Sequence, residues 1–278
     1  MPNDVQGQYA PSPEGAPGLA MYYEVHGAGD PLVVLHGAYM TIEGMGALIP
    51  ALTETRQVIA VDLQGHGRTG DIDRPITYED MADDVAALIR HLGLEQVDVY
   101  GYSMGGGVAL QFAIRYPELL RKLVAVSAGH TYDVMPAELA EMFETITPEM
   151  FAGSPFEAAY LEVAPNPDDF PQLVEKLKQL DMTHFDWTEQ VRGITAPVQL
   201  IVGDSDIIQL EYAVEMFKLL GGGVFGDMAP MPASQFAILP ATSHLGIMER
   251  TDWIVPMVTA FLDAPEPEAD EPSQASGS

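Results

Sequence analysis

Short apolar runs recur along the chain, and segments with helical spacing lie between them. After a first predicted strand at 19–25, the runs lie at 31–35, 57–62, 97–101, 123–127, 198–203 and 235–239. Nearly continuous apolar runs of this length are typical of strands that are buried on both faces of a sheet. The helical patterns lie at Tyr78–His91, Met104–Arg115, Glu211–Leu220 and Trp253–Leu262. This alternation predicts an α/β fold with a mostly parallel sheet and helices on both of its faces.

Three segments differ from this pattern. The stretch 130–190 favours helix, contains six prolines and shows no strand pattern, which predicts a helical cap inserted into a core formed by 19–129 and 191–263. Residues 1–18 are rich in Pro and Gly and are predicted to form an irregular N-terminal arm. Residues 264–278 hold four acids, no base and no large apolar side chain, which predicts a disordered acidic tail.

The charge balance excludes several kinds of partner. The chain has 41 Asp and Glu against 12 Lys and Arg, a formal net charge of −29. Nucleic acids and anionic membranes are disfavoured, because their phosphates require clustered basic side chains. Most of the excess is expected to be a solvated surface, but 130–190 alone carries thirteen acids and two lysines, a net of −11. A cap with this charge would repel anionic substrates.

The absence of cysteine and of long apolar runs excludes further kinds of site and protein. The chain has no cysteine, so disulfides and thiolate metal sites are excluded. No apolar run reaches the ~18 residues that span a bilayer, and the N-terminus lacks the pattern of a secretory signal. A cytoplasmic protein that uses no metal or organic cofactor is therefore expected, and whether it forms a homo-oligomer is left open.

The strongest chemical motif is Gly101-Tyr102-Ser103-Met104-Gly105. It follows an apolar strand and precedes a helix, which is the context of a nucleophile elbow. The flanking glycines allow strand and helix to approach closely. Such a turn lifts the hydroxyl of Ser103 above the sheet and aims the backbone N–H of Met104 at the reaction centre.

A serine nucleophile needs a base, and the base needs an acid. Of seven histidines, His244 is the best candidate base, because it lies just beyond the last predicted strand and can reach the carboxyl-terminal edge of the sheet. Asp204 and Asp206 follow the strand at 198–203, and spacing does not separate them as candidates for the acid. The chain order of serine, aspartate and histidine fits this architecture. His36 and His66 lie in Gly-flanked turns and are predicted to be structural.

From residue 19 to residue 263 the chain resembles the α/β-hydrolase superfamily, in particular serine carboxylesterases with a helical cap. The resemblance is carried by 36–38, 62–69, 101–105, 203–206 and His244. It implies that the acid is Asp206, the second aspartate of the Gly-Asp-x-Asp turn. It also implies that the backbone N–H of Ala38 is the second oxyanion donor beside Met104. Serine at the elbow differs from the dehalogenase and epoxide-hydrolase branches, which use aspartate there.

The expected activity is hydrolysis of small, uncharged carboxylic esters with a short- to medium-chain acyl group, through an acyl-enzyme. Aromatic side chains of the cap predict an apolar cleft between the cap and the sheet edge. The candidate pocket residues are Tyr39, Tyr102, Phe143 and Trp187. A cofactor-free haloperoxidase or perhydrolase, a lactonase and a carbon–carbon bond hydrolase use the same triad and stay open as alternatives. A non-catalytic ligand-binding member of the fold is an alternative of another class.

Overall fold

An eight-stranded sheet forms the centre of the computed structural model, which describes residues 7–265. The strands are β1 (Gln8–Ala10), β2 (Met21–Gly27), β3 (Asp30–Leu35), β4 (Arg56–Val61), β5 (Val97–Tyr102), β6 (Leu120–Val126), β7 (Val198–Ser205) and β8 (Gln235–Ser243). Their order across the sheet is β1-β2-β4-β3-β5-β6-β7-β8. The β1–β2 and β2–β4 pairs are antiparallel, and every other pair is parallel. The predicted mostly parallel sheet is confirmed.

Helices cover both faces of the sheet. They are α1 (Leu48–Leu52), α2 (Tyr78–His91), α3 (Met104–Arg115), α4 (Ala137–Glu144), α5 (Pro155–Val163), α6 (Phe170–Asp181), α7 (Thr188–Arg192), α8 (Leu210–Leu219) and α9 (Thr251–Asp263). Short 3-10 helices lie at Ile42–Met45, Pro117–Leu119, Tyr132–Val134, Pro148–Phe151, Pro167–Asp169 and Gly246–Glu249.

The core consists of two main apolar layers, one on each face of the sheet. Along β3, Val33 and Leu35 belong to the layer that includes α2 and α3, whereas Leu32 and Val34 belong to the layer that includes α1 and α9. Alternate side chains of a strand point to opposite faces, and all four of these are buried. A strand that is apolar at every position therefore contributes to both layers.

The register of the parallel strands brings their carboxyl ends to one edge of the sheet. Leu35 of β3 lies opposite Gly101 of β5, and Tyr102 lies opposite Val126 of β6. Val126 in turn pairs with Ile201 of β7. The loops that follow these strands therefore emerge side by side, where ligands bind in open α/β sheets.

The segment 130–190, called the cap segment below, lies between β6 and β7 and contains α4, α5, α6 and the start of α7. Backbone contacts connect the two ends of this segment. Thr131 forms a β-bridge with Asp186, and the N–H of Trp187 donates to the carbonyl oxygen of His130 at 2.8 Å. Because these contacts close the segment at its base, it leaves and re-enters the core at one place.

The N-terminal arm is less irregular than predicted. Gln8–Ala10 forms β1 and pairs antiparallel with β2, Tyr9 lying opposite Tyr22. A strand of three residues is too short to show an alternating pattern in the sequence. It forms by pairing with the edge of β2. The predicted acidic tail spans 264–278, and its residues from 266 onward lie outside the described residues, as do residues 1–6.

Candidate active site

Ser103 occupies a strained turn between β5 and α3. Its backbone has φ 54° and ψ −119°. Residues other than glycine rarely adopt a positive φ. A Cβ on Gly101 would lie 2.2 Å from the carbonyl oxygen of Gly105, and a Cβ on Gly105 would lie 2.5 Å from that of Leu35. The two glycines are thus required by the close approach of helix and strand, and strain of this kind clusters at active sites.

His244 connects the serine to an aspartate. Its Nε2 lies 2.9 Å from the Oγ of Ser103, and its Nδ1 lies 2.7 Å from the Oδ1 of Asp206. His244 follows β8 directly, and Asp206 follows β7. Since the carboxylate can only accept, Nδ1 carries the proton and Nε2 accepts from the serine hydroxyl. The structure thus brings the three predicted catalytic side chains into one hydrogen-bonded line.

The Asp206 carboxylate is fully buried and has several donors. Besides His244, Oδ1 accepts from the N–H of Ile207 at 2.7 Å, and Oδ2 accepts from the hydroxyl of Ser127 at 2.5 Å and from the N–H of Gly203 at 3.2 Å. Burial raises the pKa of Asp206, but these hydrogen bonds and the interaction with His244 outweigh it, so the pKa lies below its ordinary value. The carboxylate therefore stays ionised beside the imidazole.

Asp204 has a different position. Its carboxylate accepts from the N–H of Ala241 at 2.8 Å and from that of Thr242 at 3.0 Å. These hydrogen bonds lower its pKa, and they anchor the end of β8 that leads to His244. Asp204 thus holds the strand that carries the base and does not contact the base itself.

Two backbone N–H groups are available beside the serine. Within residues 7–265, no hydrogen bond uses the N–H of Ala38 or that of Met104. The next N–H along the chain, that of Tyr39, donates to the Nε2 of His66 at 3.2 Å. Tyr39 has φ 62°. The hydrogen bond of Tyr39 therefore fixes the turn that contains Ala38. The N–H of Ala38 itself is free, as a donor to an oxyanion must be.

His36 and His66 are structural, as predicted. Both rings are buried and lie 5.0 Å apart. The Nδ1 of His36 donates to the carbonyl oxygen of Gly37 at 2.8 Å, while its Nε2 accepts from the N–H of Leu63 at 3.1 Å. Burial lowers the pKa of His36 to about 4 and that of His66 to about 3. Both rings are therefore neutral, and they connect the turn before Ala38 to the loop after β4.

A cavity of about 420 Å³ lies between the cap segment and the sheet edge. Ser103, Met104 and His244 line its floor, and the predicted pocket residues Tyr39, Tyr102 and Phe143 also line it. Further apolar lining comes from the cap segment and the loop after β7, including Met135, Leu139, Met142, Phe151, Phe156 and Ile208. The cleft is therefore largely apolar.

Trp187 does not line this cavity, contrary to the prediction. Its side chain is buried, stacks on Phe185 at 4.2 Å and meets Tyr78 edge-on at 5.3 Å between ring centroids. The indole therefore belongs to the core at the base of the cap segment. Sequence position within the cap could not distinguish these two roles.

The family of the chain follows from comparison with known proteins. A family model described as "alpha/beta hydrolase fold" matches residues 30–181, more than half of the chain. The chain belongs to the α/β hydrolase family. The matched range contains Ser103 and the residues Ala38 and Met104, whose backbone N–H groups are the predicted oxyanion donors.

Similar proteins in this family differ in activity. A putative esterase/lipase of Haemophilus influenzae is 35% identical over 95 residues, 34% of this chain and 33% of the relative. A soluble epoxide hydrolase of Corynebacterium sp. is 42% identical over 109 residues, 38% of this chain and 37% of the relative. The chain thus matches about a third of the length of either relative. The solved structure of a thermophilic esterase from Thermogutta terrifontis has a TM-score of 0.68 and 24% identity, covering 93% of this chain and 98% of that one. That likeness shows the fold.

Two further polar residues of the protein reach the site, although the sequence analysis did not predict them. Ser127, the residue after β6, donates to Asp206. Asp181, the last residue of α6, lines the cavity. The position of Ser127 at a strand end, like that of Ser103, could have indicated it; for Asp181 no motif exists.

Among residues 7–265, no group of three or more His, Asp and Glu side chains is arranged to hold a metal ion. In the same part of the chain, no helix combines the length and apolar character that crossing a membrane requires.

Proposed function

We propose that this hydrolase cleaves small carboxylic esters through an acyl-enzyme formed on Ser103. The observation that carries the proposal is the continuous hydrogen-bonded line from Ser103 through His244 to Asp206, with distances of 2.9 and 2.7 Å. A serine hydroxyl is a weak nucleophile until a base accepts its proton. This geometry supports such an activation without any further group.

The first half of the reaction forms the acyl-enzyme. The Oγ of Ser103 attacks the ester carbonyl carbon while its proton moves to the Nε2 of His244. The N–H groups of Ala38 and Met104 donate to the oxyanion of the tetrahedral intermediate, each worth roughly 3 kcal/mol in comparable sites. As the intermediate collapses, the C–O bond to the alcohol breaks and His244 returns the proton to the leaving alkoxide.

The second half releases the acid. Water loses a proton to the Nε2 of His244 and attacks the acyl carbonyl carbon in the same oxyanion site. Collapse of this second intermediate breaks the bond to Ser103, whose Oγ regains the proton from His244. Asp206 keeps the imidazole in one tautomer and stabilises its protonated form in both halves.

The cavity supports a small substrate that carries no negative charge. The lining is mostly apolar, so it favours a hydrocarbon acyl or alcohol part over a solvated one. Several acids of the cap segment are exposed around it, among them Glu138, Glu141 and Glu144. Their field disfavours an anionic ester.

Turnover of p-nitrophenyl esters of increasing chain length tests the proposal. Ser103→Ala should abolish turnover and labelling by a fluorophosphonate probe, while the circular dichroism spectrum stays that of the wild type. Ser205→Ala is the matched control, because Ser205 is an exposed serine outside the line to His244. Ester turnover that survives in Ser103→Ala would contradict the proposal, as would a wild-type protein that neither turns over esters nor reacts with the probe.

A further inference from the structure

An acidic side chain lines the cavity on the side of the cap segment. Asp181 is half-buried and shares the cavity with Ser103 and His244. Apart from Thr131, the other cap residues that line this cavity are apolar. The catalytic mechanism does not use Asp181, since the acid of the triad is Asp206.

The Asp181 carboxylate has no protein partner. Within residues 7–265 it makes no hydrogen bond and no ion pair, and no lysine or arginine lines the cavity. Lys178, in the last turn of the same helix, donates instead to the carbonyl oxygen of Ile146 at 3.1 Å. Burial raises the pKa of Asp181 to about 7. An ionised carboxylate in such surroundings is unfavourable until a cation neutralises it.

The surroundings of Asp181 favour a cation. It is the last residue of α6, and the negative end of a helix dipole attracts positive charge. Tyr39 and Tyr78 line the same cavity as Asp181, and the charge of its carboxylate adds to the burial that raises the pKa of both phenols. Aromatic rings attract ammonium groups. The buried hydroxyl of Tyr39 has no hydrogen-bond partner among the described residues, so its lone pairs can accept from an N–H.

We infer that Asp181, with Tyr39 and Tyr78 of the same cavity lining, forms a cation subsite that binds an ammonium group of the substrate. The substrate class is then an ester with an apolar chain that ends in a positive charge, which differs from the sequence-based expectation of an uncharged ester. The statement about substrates rests on the proposed ester hydrolysis, whereas the subsite itself does not. The net negative cap segment would also concentrate cations near the cavity.

Binding of a simple cation tests the subsite without any chemistry. At pH 8, isothermal titration calorimetry with hexylammonium chloride and with 1-hexanol compares a cation with a neutral ligand of similar chain. We expect Asp181→Asn to weaken hexylammonium binding by about tenfold or more and to leave hexanol unchanged or tighter. Glu141→Gln, which removes an exposed charge of the cap segment outside the cavity lining, is the control for the general field.

Turnover then tests the substrate class. One pair of esters places the charge on the acyl side, p-nitrophenyl 6-aminohexanoate against p-nitrophenyl heptanoate. A second pair places it on the alcohol side, 6-aminohexyl acetate against heptyl acetate. In at least one pair, the ratio of kcat/KM for the cationic to the neutral ester should fall about tenfold in Asp181→Asn and stay unchanged in Glu141→Gln. Turnover of the neutral ester shows that the variant is folded.

The outcomes separate the two proposals. Hexylammonium binding that is the same in Asp181→Asn as in the wild type, or equally weakened by Glu141→Gln, overturns the cation subsite. Ratios of kcat/KM that Asp181→Asn leaves unchanged in both pairs overturn the substrate class. If hexylammonium binding depends on Asp181 but no ester is cleaved, the subsite stands and ester hydrolysis is wrong.

Discussion

The hydroxyl of Ser127 lies 2.5 Å from the Oδ2 of Asp206, on the side of the carboxylate opposite to His244. Ser127 has φ 51°, and its N–H donates to the carbonyl oxygen of Ile201 in β7. Because the residue after β6 adopts this unusual conformation, its side chain meets Asp206, which follows the neighbouring strand β7. Ser127 thus holds the carboxylate of Asp206, and it also lies in the lining of the cavity.

We expect Ser127→Ala to lower kcat by roughly tenfold with little change in KM, because one charge-assisted hydrogen bond to the carboxylate is lost. The lost donor also removes one of the interactions that lower the pKa of Asp206. Steady-state kinetics measure the effect, with Ser205→Ala as control, since Ser205 bonds Asp204 instead. A KM effect without a kcat effect would place Ser127 in substrate binding.

Ser127→Gly should lose as much activity as Ser127→Ala but unfold at higher urea concentration. At φ 51° a Cβ is strained, whereas glycine adopts this conformation freely. We expect the glycine variant to be more stable than the alanine variant by about 1 kcal/mol. Urea unfolding followed by circular dichroism compares the two, and an alanine variant of equal or greater stability would show that the positive φ carries no strain.

Substitutions of Asp204, near the end of β7, and of Asp206, just after it, should have different effects. Asp206→Asn should lower kcat by about 10³–10⁴, because an amide no longer holds His244 in the required tautomer. Asp204→Asn should retain most of the activity and mainly lower the melting temperature, because its oxygens anchor Ala241 and Thr242. Both variants are compared by kcat and by thermal unfolding. A larger loss of kcat at Asp204 would reverse the assignment of the acid.

Much of the scaffold follows from local sequence. The central residues of strands β3 to β7 are mostly apolar, as is typical of strands buried on both faces. Helix α2 starts at the predicted residue, where Thr77 accepts from the N–H of Asp80. The elbow follows from glycines that steric contact requires. In contrast, β1 depends on pairing with an edge that lies eleven residues further along the chain, so no local pattern reveals it.

The cavity is less predictable than the triad, because its lining depends on how the cap segment packs. Trp187 and Phe143 are both aromatic residues of the cap segment, yet Trp187 lies in the core and Phe143 lines the cavity. Asp181 is the last residue of α6, and the buried face of this helix includes Val174 and Leu177. Only the tertiary arrangement shows that this acid turns toward the cavity rather than toward solvent.

The stability of the protein should depend on the ionisation of Asp181. Its pKa of about 7 in the fold lies above the ordinary 3.8 because of burial, so the folded state binds more protons than the unfolded state between about pH 4 and pH 7. Its contribution to stability is therefore present at low pH and is lost as the pH rises through 7. Tyr39, Tyr78, Tyr102 and His244 are the other titratable groups in the same cavity, and both proteins compared below retain them.

We expect Asp181→Asn to unfold at higher urea concentration than the wild type at pH 8, with the difference shrinking toward pH 4. The measurement is urea unfolding of both proteins across this range. Asp186→Asn is the control, because Asp186 is an exposed acid of the same segment whose pKa is lowered by hydrogen bonds to Thr188. A difference between wild type and Asp181→Asn that does not change with pH would contradict the raised pKa.

The net charge of −11 on the cap segment should discriminate against anionic esters in a salt-dependent way. Exposed acids act through solvent, and the Debye length falls from about 10 Å at 0.1 M salt to about 3 Å at 1 M. We therefore expect p-nitrophenyl heptanoate to be preferred over p-nitrophenyl 5-carboxypentanoate at low salt, with the ratio of kcat/KM falling several-fold as salt is added. Asp181→Asn separates the two sources of repulsion: it should remove a constant, short-range part and leave the salt-dependent part in place. A ratio that salt does not change would mean that the acidic surface of the cap segment has no effect on substrate selection.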